Sequence, residues 1–293
     1  MATIEAGFEK SVRRNEPLAP RTWFKLGGEA EYFAEPETVD ELAALVRRCR
    51  EQEVAVRVLG GGSNILVRDE GVRGLVVHLN APAFAEMTIQ GTSVTAGGGA
   101  SLGDVVAAAV RNGLAGLEPL VGIPGTIGGA LHNNAGTHAG DIGQWAAHAT
   151  VLTRSGDILQ RDRDDLVFAY RQSSLDELVI LEAKFALEEE DPAQLTKRMQ
   201  KQWIVKRAGE PSAPQSVGCL FKDPRGMSAP MLIEQVGLKG YAEGRAEISQ
   251  QNPNFVIAHE GATAVDVLRL IDTVRSRVAE RLGIELEPAI EVW

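Results

Sequence analysis

The sequence predicts an α+β protein of more than one domain, and three observations point there. Short apolar segments of strand length alternate with amphipathic stretches of helical period. Glycine concentrates in three runs: Gly60-Gly61-Gly62-Ser63-Asn64, Gly97-Gly98-Gly99, and the fifteen residues from Gly122 to Gly136, GIPGTIGGALHNNAG. An acidic run, Glu188 to Asp191, then separates this glycine-looped part from a shorter remainder and is read as a solvated linker.

Residues 1–20 hold Pro17 and Pro20 without clear periodicity and are read as an arm. Pro36 to Glu53 is helical, because Val39, Leu42, Leu45, Val46 and Cys49 recur at three and four residues, which turns Cys49 toward a core. Strands are expected at Val54–Leu59, Leu75–Leu79 and Thr88–Ala96. Ser101 caps a helix that runs to Asn112 and stops at Gly113. A hairpin turns at Ser155-Gly156, and a longer strand spans Val179–Leu187. Beyond the acidic run the expected elements are a charged helix over Pro192–Arg207, a proline-containing loop over Glu210–Gln215 and a short strand over Cys219–Lys222. A helix over Met227–Val236, a strand over Phe255–Ala258, a helix from Thr263 to Leu282 stopped by Gly283, and a terminal strand over Ile284–Trp293 complete the chain.

A chain of 293 residues with 44% hydrophobic and 24% charged residues has the balance of an ordinary globular protein. Its net charge of −10 argues against nucleic acid and anionic membrane surfaces as partners. No apolar run reaches the roughly 18 residues of a membrane span, and no secretory leader is apparent, so a cytoplasmic setting and a monomer are expected. Cys49 and Cys219 are the only cysteines, which leaves no disulfide framework and no cysteine metal site.

The glycine runs are the candidate functional feature. Glycine at this density disfavours a helix or central strand but lets backbone amides approach a ligand closely. Asn133 and Asn134 add short side chains that both donate and accept. A phosphate-binding P-loop is excluded, since no run is followed by Lys-Ser or Lys-Thr, and the Rossmann fingerprint fails at Ile65 and Leu102. Several separate loops still suit an extended diphosphate such as a dinucleotide cofactor on another fold.

Four motifs in order then carry a resemblance: Val58-Leu59-Gly60-Gly61-Gly62-Ser63-Asn64, Gly122-Ile123-Pro124-Gly125-Thr126-Ile127-Gly128-Gly129, Tyr170-Arg171-Gln172-Ser173 and Phe221-Lys222-Asp223-Pro224. From about Arg21 to Trp293 the chain resembles the UDP-N-acetylenolpyruvoylglucosamine reductases, in the short type that lacks an extra tyrosine-bearing loop. The resemblance implies an FAD-binding domain of the vanillyl-alcohol-oxidase (PCMH) type over 21–190, in subdomains of about 21–82 and 83–190, and a substrate-binding domain over 191–293. It implies NADPH as hydride source, FAD as carrier, and the enolpyruvyl ether of UDP-N-acetylglucosamine as the substrate reduced in peptidoglycan precursor synthesis.

Site residues follow from the same match. Gly60, Gly61, Gly62, Ser63, Asn64, Gly122, Ile123, Pro124, Gly125, Thr126, Gly128, Gly129, Asn133, Ala135 and Gly136 are implied to hold the cofactor. Arg171 matches the catalytic arginine, whose guanidinium suits a carboxylate and a developing enolate. Cys219 stands in Gly-Cys-x-Phe-Lys where the family commonly has serine, and its more acidic thiol can deliver the proton. The family's terminal glutamate falls on Ala289 of Leu286-Glu287-Pro288-Ala289-Ile290, which leaves Glu287, on the same face of an extended strand, as the substitute carboxylate. Nine Lys or Arg against four acids between Thr196 and Arg245 suit an anionic substrate, with Lys222, Arg207 and Lys239 as contacts. Asn254 stands in an Asn-x-Asn-Phe segment that resembles the family's His-x-Asn-Phe. Two other readings stay open: an FAD oxidoreductase of this fold on another substrate, and a flavin- or nucleotide-sugar-binding protein without turnover, motivated by Ala289.

Overall fold

The computed structural model describes residues 3–212 and 215–293, and the chain divides into two units. The first holds residues up to 16, 31–61 and 73–204; the second holds 17–30, 62–72 and 205–293. This differs from the expected break at 190. Segments 17–30 and 62–72 join the second unit through long-range pairing: Glu291–Val292 runs parallel to Ile65–Leu66, and the Asp69 carboxylate accepts the amides of Ala264 and Val265 at 3.0 and 3.2 Å.

The first unit has two cores. In one, α1 (Val39–Glu51) lies on a four-stranded sheet ordered Val12–Pro17, Glu29–Ala34, Val72–His78, Val56–Leu59. Thr38 caps α1 by accepting from the Glu41 amide, and Asp40 with Glu41 at one end and Arg48 with Arg50 at the other complement the helix dipole. Cys49 is buried there, as its spacing predicts. The segment expected as an arm contains an edge strand, Val12–Pro17, held because Ile4 and Val12 bury their side chains in this core.

The second core lies under an antiparallel five-stranded sheet ordered Ile158–Asp162, Ala146–Leu152, Val179–Ala186, Ser93–Gly97, Met87–Gln90. The single strand expected at Thr88–Ala96 is a hairpin, because Gly91 at φ 58° turns the chain. A single-turn α2 (Pro82–Ala85) precedes it, and α3 (Leu102–Arg111) follows, capped by Ser101 on the Asp104 amide.

The glycine-rich stretch contains a helix against expectation, α4 (Ile127–His132). Thr126 caps it by accepting from Gly129, and buried Ile127, Ala130 and Leu131 anchor it, so packing overrides propensity. The acidic run is no free linker. Glu188–Glu189 pairs with Leu114–Ala115, and Glu190 with buried Glu118 holds Arg198 on α5 (Pro192–Gly209), where the chain passes from the first unit to the second.

In the second unit an antiparallel sheet ordered Ser216–Gly218, Phe255–Ala258, Ala246–Ile248, Ala242–Glu243 shares one core with α6 (Ala229–Gln235) and α7 (Ala264–Leu282). Thr263 and Asp266 form a reciprocal capping box on α7, and Gly283 ends it at φ 68°. Part of the Glu210–Gln215 expectation, residues 213 and 214, falls outside the described residues.

Two expected strands shrink. The Cys219–Lys222 strand is displaced to Ser216–Gly218, and the terminal strand to Glu291–Val292. Where they meet, Ala289 donates to the Leu220 carbonyl, Lys222 donates to the Glu287 carbonyl, and Pro288, which has no amide to give, faces Phe221 as a lone bridge.

Candidate active site

In the first unit the glycine runs converge on one cradle. A Cβ on Gly61 would sit 2.8 Å from the Gly125 Cα, and one on Gly60 would sit 2.8 Å from the Thr126 hydroxyl. These two loops therefore touch backbone to backbone, which only glycine permits. Among the described residues no protein acceptor takes the amides of Gly60, Gly61, Gly122, Gly125 or Thr126. Gly61, Gly122 and Gly129 are exposed, and neither run carries an acidic side chain. Unpaired, uncharged donors on a backbone bare of side chains fit the diphosphate of a dinucleotide, and the residues present thus fit FAD.

The third run does other work. Gly97, Gly98 and Gly99 give their amides to Glu86, Leu181 and Phe84 carbonyls, and the Gly98 carbonyl accepts from Gly128 at 2.8 Å. They are scaffold, with Gly97 and Gly98 buried and Gly99 partly so.

The cofactor residues named from sequence are not all in one place. Gly60, Gly61, Gly122, Ile123, Pro124, Gly125, Thr126, Gly128 and Gly129 belong to the cradle's loops in the first unit. Asn133 caps the end of α4, with its side chain on the Gly129 carbonyl at 3.3 Å. Buried Ala135 donates to Ala130 at 2.7 Å, and Gly136 pairs with Asp141. Gly62, Ser63 and Asn64 belong to the second unit. There Gly62, at φ 64°, closes on the Arg21 carbonyl, and Asn64 spends its side-chain amide on the Ala289 carbonyl at 2.9 Å. Asn64 thereby clamps the chain at Ala289.

Arg171 stands at the tip of a small hairpin in which Phe168–Ala169 pairs with Gln172–Ser173. Its backbone is left-handed, φ 57°, a conformation an arginine adopts at a cost. The guanidinium is half-buried and makes no ion pair or hydrogen bond among the described residues. The hairpin is tied to α4: the Ser173 hydroxyl donates to the His132 carbonyl at 2.9 Å, and the His132 imidazole bonds the Leu175 carbonyl at 3.0 Å. Buried Asn134, at φ 43°, donates to the Ala169 carbonyl at 2.9 Å and accepts from the Gly143 amide at 3.1 Å. Sequence reasoning gave Asn134 no partner; the adjacency of two asparagines after a glycine-rich helix was its only signal.

In the second unit Cys219, a partly exposed thiol outside any disulfide, follows directly on Ser216–Gly218. Asn254 corrects its sequence assignment. It is 2% exposed, and its side chain both accepts from the Phe221 amide at 2.9 Å and donates to the Phe221 carbonyl at 2.8 Å. Buried and bonded at both ends of its carboxamide, it fixes the segment after Cys219.

Glu287 has a side chain that is 70% exposed and bonds the Lys222 ammonium at 2.6 Å. Ala289 contributes only backbone bonds, to Leu220 and Asn64. Lys239 pairs with Glu234 at 2.9 Å, whereas Arg207 is exposed and unpaired among the described residues. The positive excess read from 196–245 is thus partly neutralised, since Arg198, Lys206, Lys222 and Lys239 all have carboxylate partners. No group of His, Cys, Asp and Glu among the described residues could hold a metal ion, and no helix among them is long and apolar enough to cross a membrane.

Comparison with known proteins extends these observations. Residues 30–161 match the FAD binding domain family, and residues 210–293 match the family described as UDP-N-acetylenolpyruvoylglucosamine reductase, C-terminal domain. A UDP-N-acetylenolpyruvoylglucosamine reductase of Rhodopirellula baltica is 41% identical over 96% of this chain and 92% of its own. One from Heliobacterium modesticaldum is 39% identical over 100% of this chain and 94% of its own. The crystal structure of UDP-N-acetylenolpyruvylglucosamine reductase from Thermus caldophilus superposes with a TM-score of 0.82 at 36% identity, over 96% of this chain and 99% of that one. With the cradle, the arginine hairpin and the thiol segment all inside the matched length, this chain belongs to the UDP-N-acetylenolpyruvoylglucosamine reductase family.

Proposed function

We propose that the protein reduces the enolpyruvyl ether of UDP-N-acetylglucosamine to UDP-N-acetylmuramate, a step in peptidoglycan precursor synthesis, with FAD on the glycine cradle and NADPH as reductant. The observation that carries this reading is the set of acceptor-free amides at Gly60, Gly61, Gly122, Gly125 and Thr126, on a chain that matches such reductases along almost its whole length. FAD, when bound, supplies the hydride that it has taken from NADPH.

The residues divide the remaining work. The reaction adds a hydride to the terminal carbon of the enolpyruvyl double bond and a proton to the neighbouring carbon, which bears the carboxylate; no other bond breaks. Negative charge builds on that carboxylate as the hydride arrives. Arg171 has an uncommitted guanidinium to meet it with two parallel hydrogen bonds and stays charged throughout. Cys219 gives its thiol proton to the carbon, and solvent restores it. Ala289 has no group to offer, and the exposed Glu287 side chain is engaged by Lys222, so we assign the proton to the thiol. We assign Arg207, which has no carboxylate partner among the described residues, and Lys222 to the diphosphate.

Anaerobic stopped-flow absorbance tests the reading. Purified protein is expected to be yellow, to bleach with NADPH, and to regain its colour when the enolpyruvyl UDP-sugar is added. A bleached enzyme that this compound fails to reoxidise would refute the substrate, and protein that takes up no FAD would refute the cradle.

A further inference from the structure

We propose that Asn134 is the positioning residue for Arg171, joining the cofactor-side helix α4 to the hairpin that presents the guanidinium. This inference rests on the functional reading above. The hairpin cannot hold itself. Its ladder is two residues long on each side, Phe168↔Ser173 and Ala169↔Gln172, and an isolated two-stranded hairpin is marginal in water. Its turn also carries Arg171 in the left-handed region, which adds to what the surroundings must hold in place. The guanidinium adds no bond of its own among the described residues.

Ser173 on the His132 carbonyl ties one strand, and Asn134 supplies the tie on the other, next to the turn. It is 5% exposed and bridges two places with one carboxamide: its NH₂ donates to the carbonyl of Ala169, next to the turn, and its oxygen accepts from Gly143. Phe168, at the base of the same hairpin, fills the space that a side chain on Gly143 would need, so the Gly143 backbone anchors both the carboxamide and the hairpin. The residue type follows from the geometry. At φ 43° the backbone favours Gly, Asn or Asp, and of these only Asn both donates to a carbonyl and accepts from an amide. Asp is the same size and keeps the bond from Gly143, but it turns an oxygen toward the Ala169 carbonyl.

The test uses full-length protein loaded with FAD and the variants Asn134→Asp and Asn134→Gly, both compatible with the backbone. Hydrogen–deuterium exchange of the peptide covering 165–176 is expected to speed up about tenfold in each, with the strands Ala146–Leu152 and Val179–Ala186 unchanged. Reoxidation of bleached enzyme by the enolpyruvyl UDP-sugar is expected to slow about tenfold in either variant when Arg171 is present. In an Arg171→Ala background the same change should have no further effect, because a residue that acts through Arg171 has nothing left to position. Bleaching by NADPH should be unaltered by the change at Asn134. Unchanged exchange in 165–176, or an equal loss of rate with and without Arg171, would overturn the assignment. Wild-type enzyme that the sugar cannot reoxidise would sink the functional reading instead, and the exchange experiment would still decide whether Asn134 holds the hairpin.

Discussion

Arg171→Gly should separate stability from activity, and the structure supplies both magnitudes. Arginine at φ 57° bears the left-handed penalty of about 1–2 kcal/mol, which glycine does not. Glycine in turn frees the unfolded chain and costs about 0.5–1 kcal/mol. The guanidinium makes no hydrogen bond or ion pair among the described residues whose loss would add to that. The net is a change of about 0 to 1.5 kcal/mol in the stabilising direction, or a melting midpoint between that of wild type and about 5 °C above it.

Activity should behave differently. Removing a preorganised donor from a developing oxyanion costs about a hundred- to a thousandfold, some 2.7–4 kcal/mol. Calorimetry and single-turnover reoxidation on one preparation give both numbers. Arg171→Lys should keep the charge and lose the paired geometry, falling between wild type and glycine. A variant that melts more than about 5 °C lower would show that Arg171 has a structural load its contacts do not reveal. One that reoxidises within about threefold of wild type would remove Arg171 from the chemistry.

Gly61→Ala places a Cβ 2.8 Å from the Gly125 Cα, where only backbone can yield, so FAD affinity should fall at least about tenfold while far-ultraviolet circular dichroism stays native; fluorescence titration with FAD decides it. Cys219→Ala should leave NADPH bleaching intact and slow reoxidation about a hundredfold or more, and equal rates for the two proteins would reject the thiol as acid. Iodoacetamide at pH 8 should label one cysteine per native chain, at Cys219, because Cys49 is fully buried and burial pushes its thiol up to about 11; two labels by mass spectrometry would contradict the packing of α1. The same shift has a sign. A thiol raised from 9.0 to about 11 favours the folded state fully below pH 9 and ceases to as pH climbs through 11, so the urea midpoint of wild type should fall faster than that of Cys49→Ala across that interval.

How legible the fold was depended on how local its causes are. The α7 helix could be read at both ends, since Thr263, Asp266 and Gly283 act within a few residues of the helix they bound. The α1 and α3 caps are equally local. The assignment of 17–30 and 62–72 to the second unit was illegible, because it depends on Ile65–Leu66 meeting Glu291–Val292, more than two hundred residues on. The α4 helix was misread for a related reason. Glycine-poor sequence is what helix propensity rewards, yet Ile127 and Leu131 bury enough apolar surface, under a threonine cap, to hold six residues helical.

The site shows the same division, and asparagine makes it plain. Asn64, Asn133, Asn134 and Asn254 all lie in or beside motifs that suggest ligand contacts, and in sequence nothing separates them. In the structure each side chain already has a backbone partner: Ala289, Gly129, Ala169 with Gly143, and Phe221. Asparagine is suited to this work because one planar group can close a donor and an acceptor that irregular backbone leaves open. Segments that must stay free of regular structure to reach a ligand are also the segments with most such groups to close.

Glycine divides along the same line. All three runs have the composition of a ligand loop, and composition cannot say which amides remain available. Accounting for each amide can. Gly97, Gly98 and Gly99 lack side chains because protein backbone occupies that space, and their amides are taken. Gly60 and Gly61 also lack side chains because another loop presses against them, yet among the described residues their amides are unspent. A close approach that consumes its hydrogen bonds builds scaffold, whereas one that leaves donors exposed on a backbone that cannot move aside builds a binding surface. The second kind keeps donors that only solvent occupies until a ligand takes them. That asymmetry is the physical reason to assign the cofactor to the runs at Gly60 and Gly122 and to leave Gly97–Gly99 as their support.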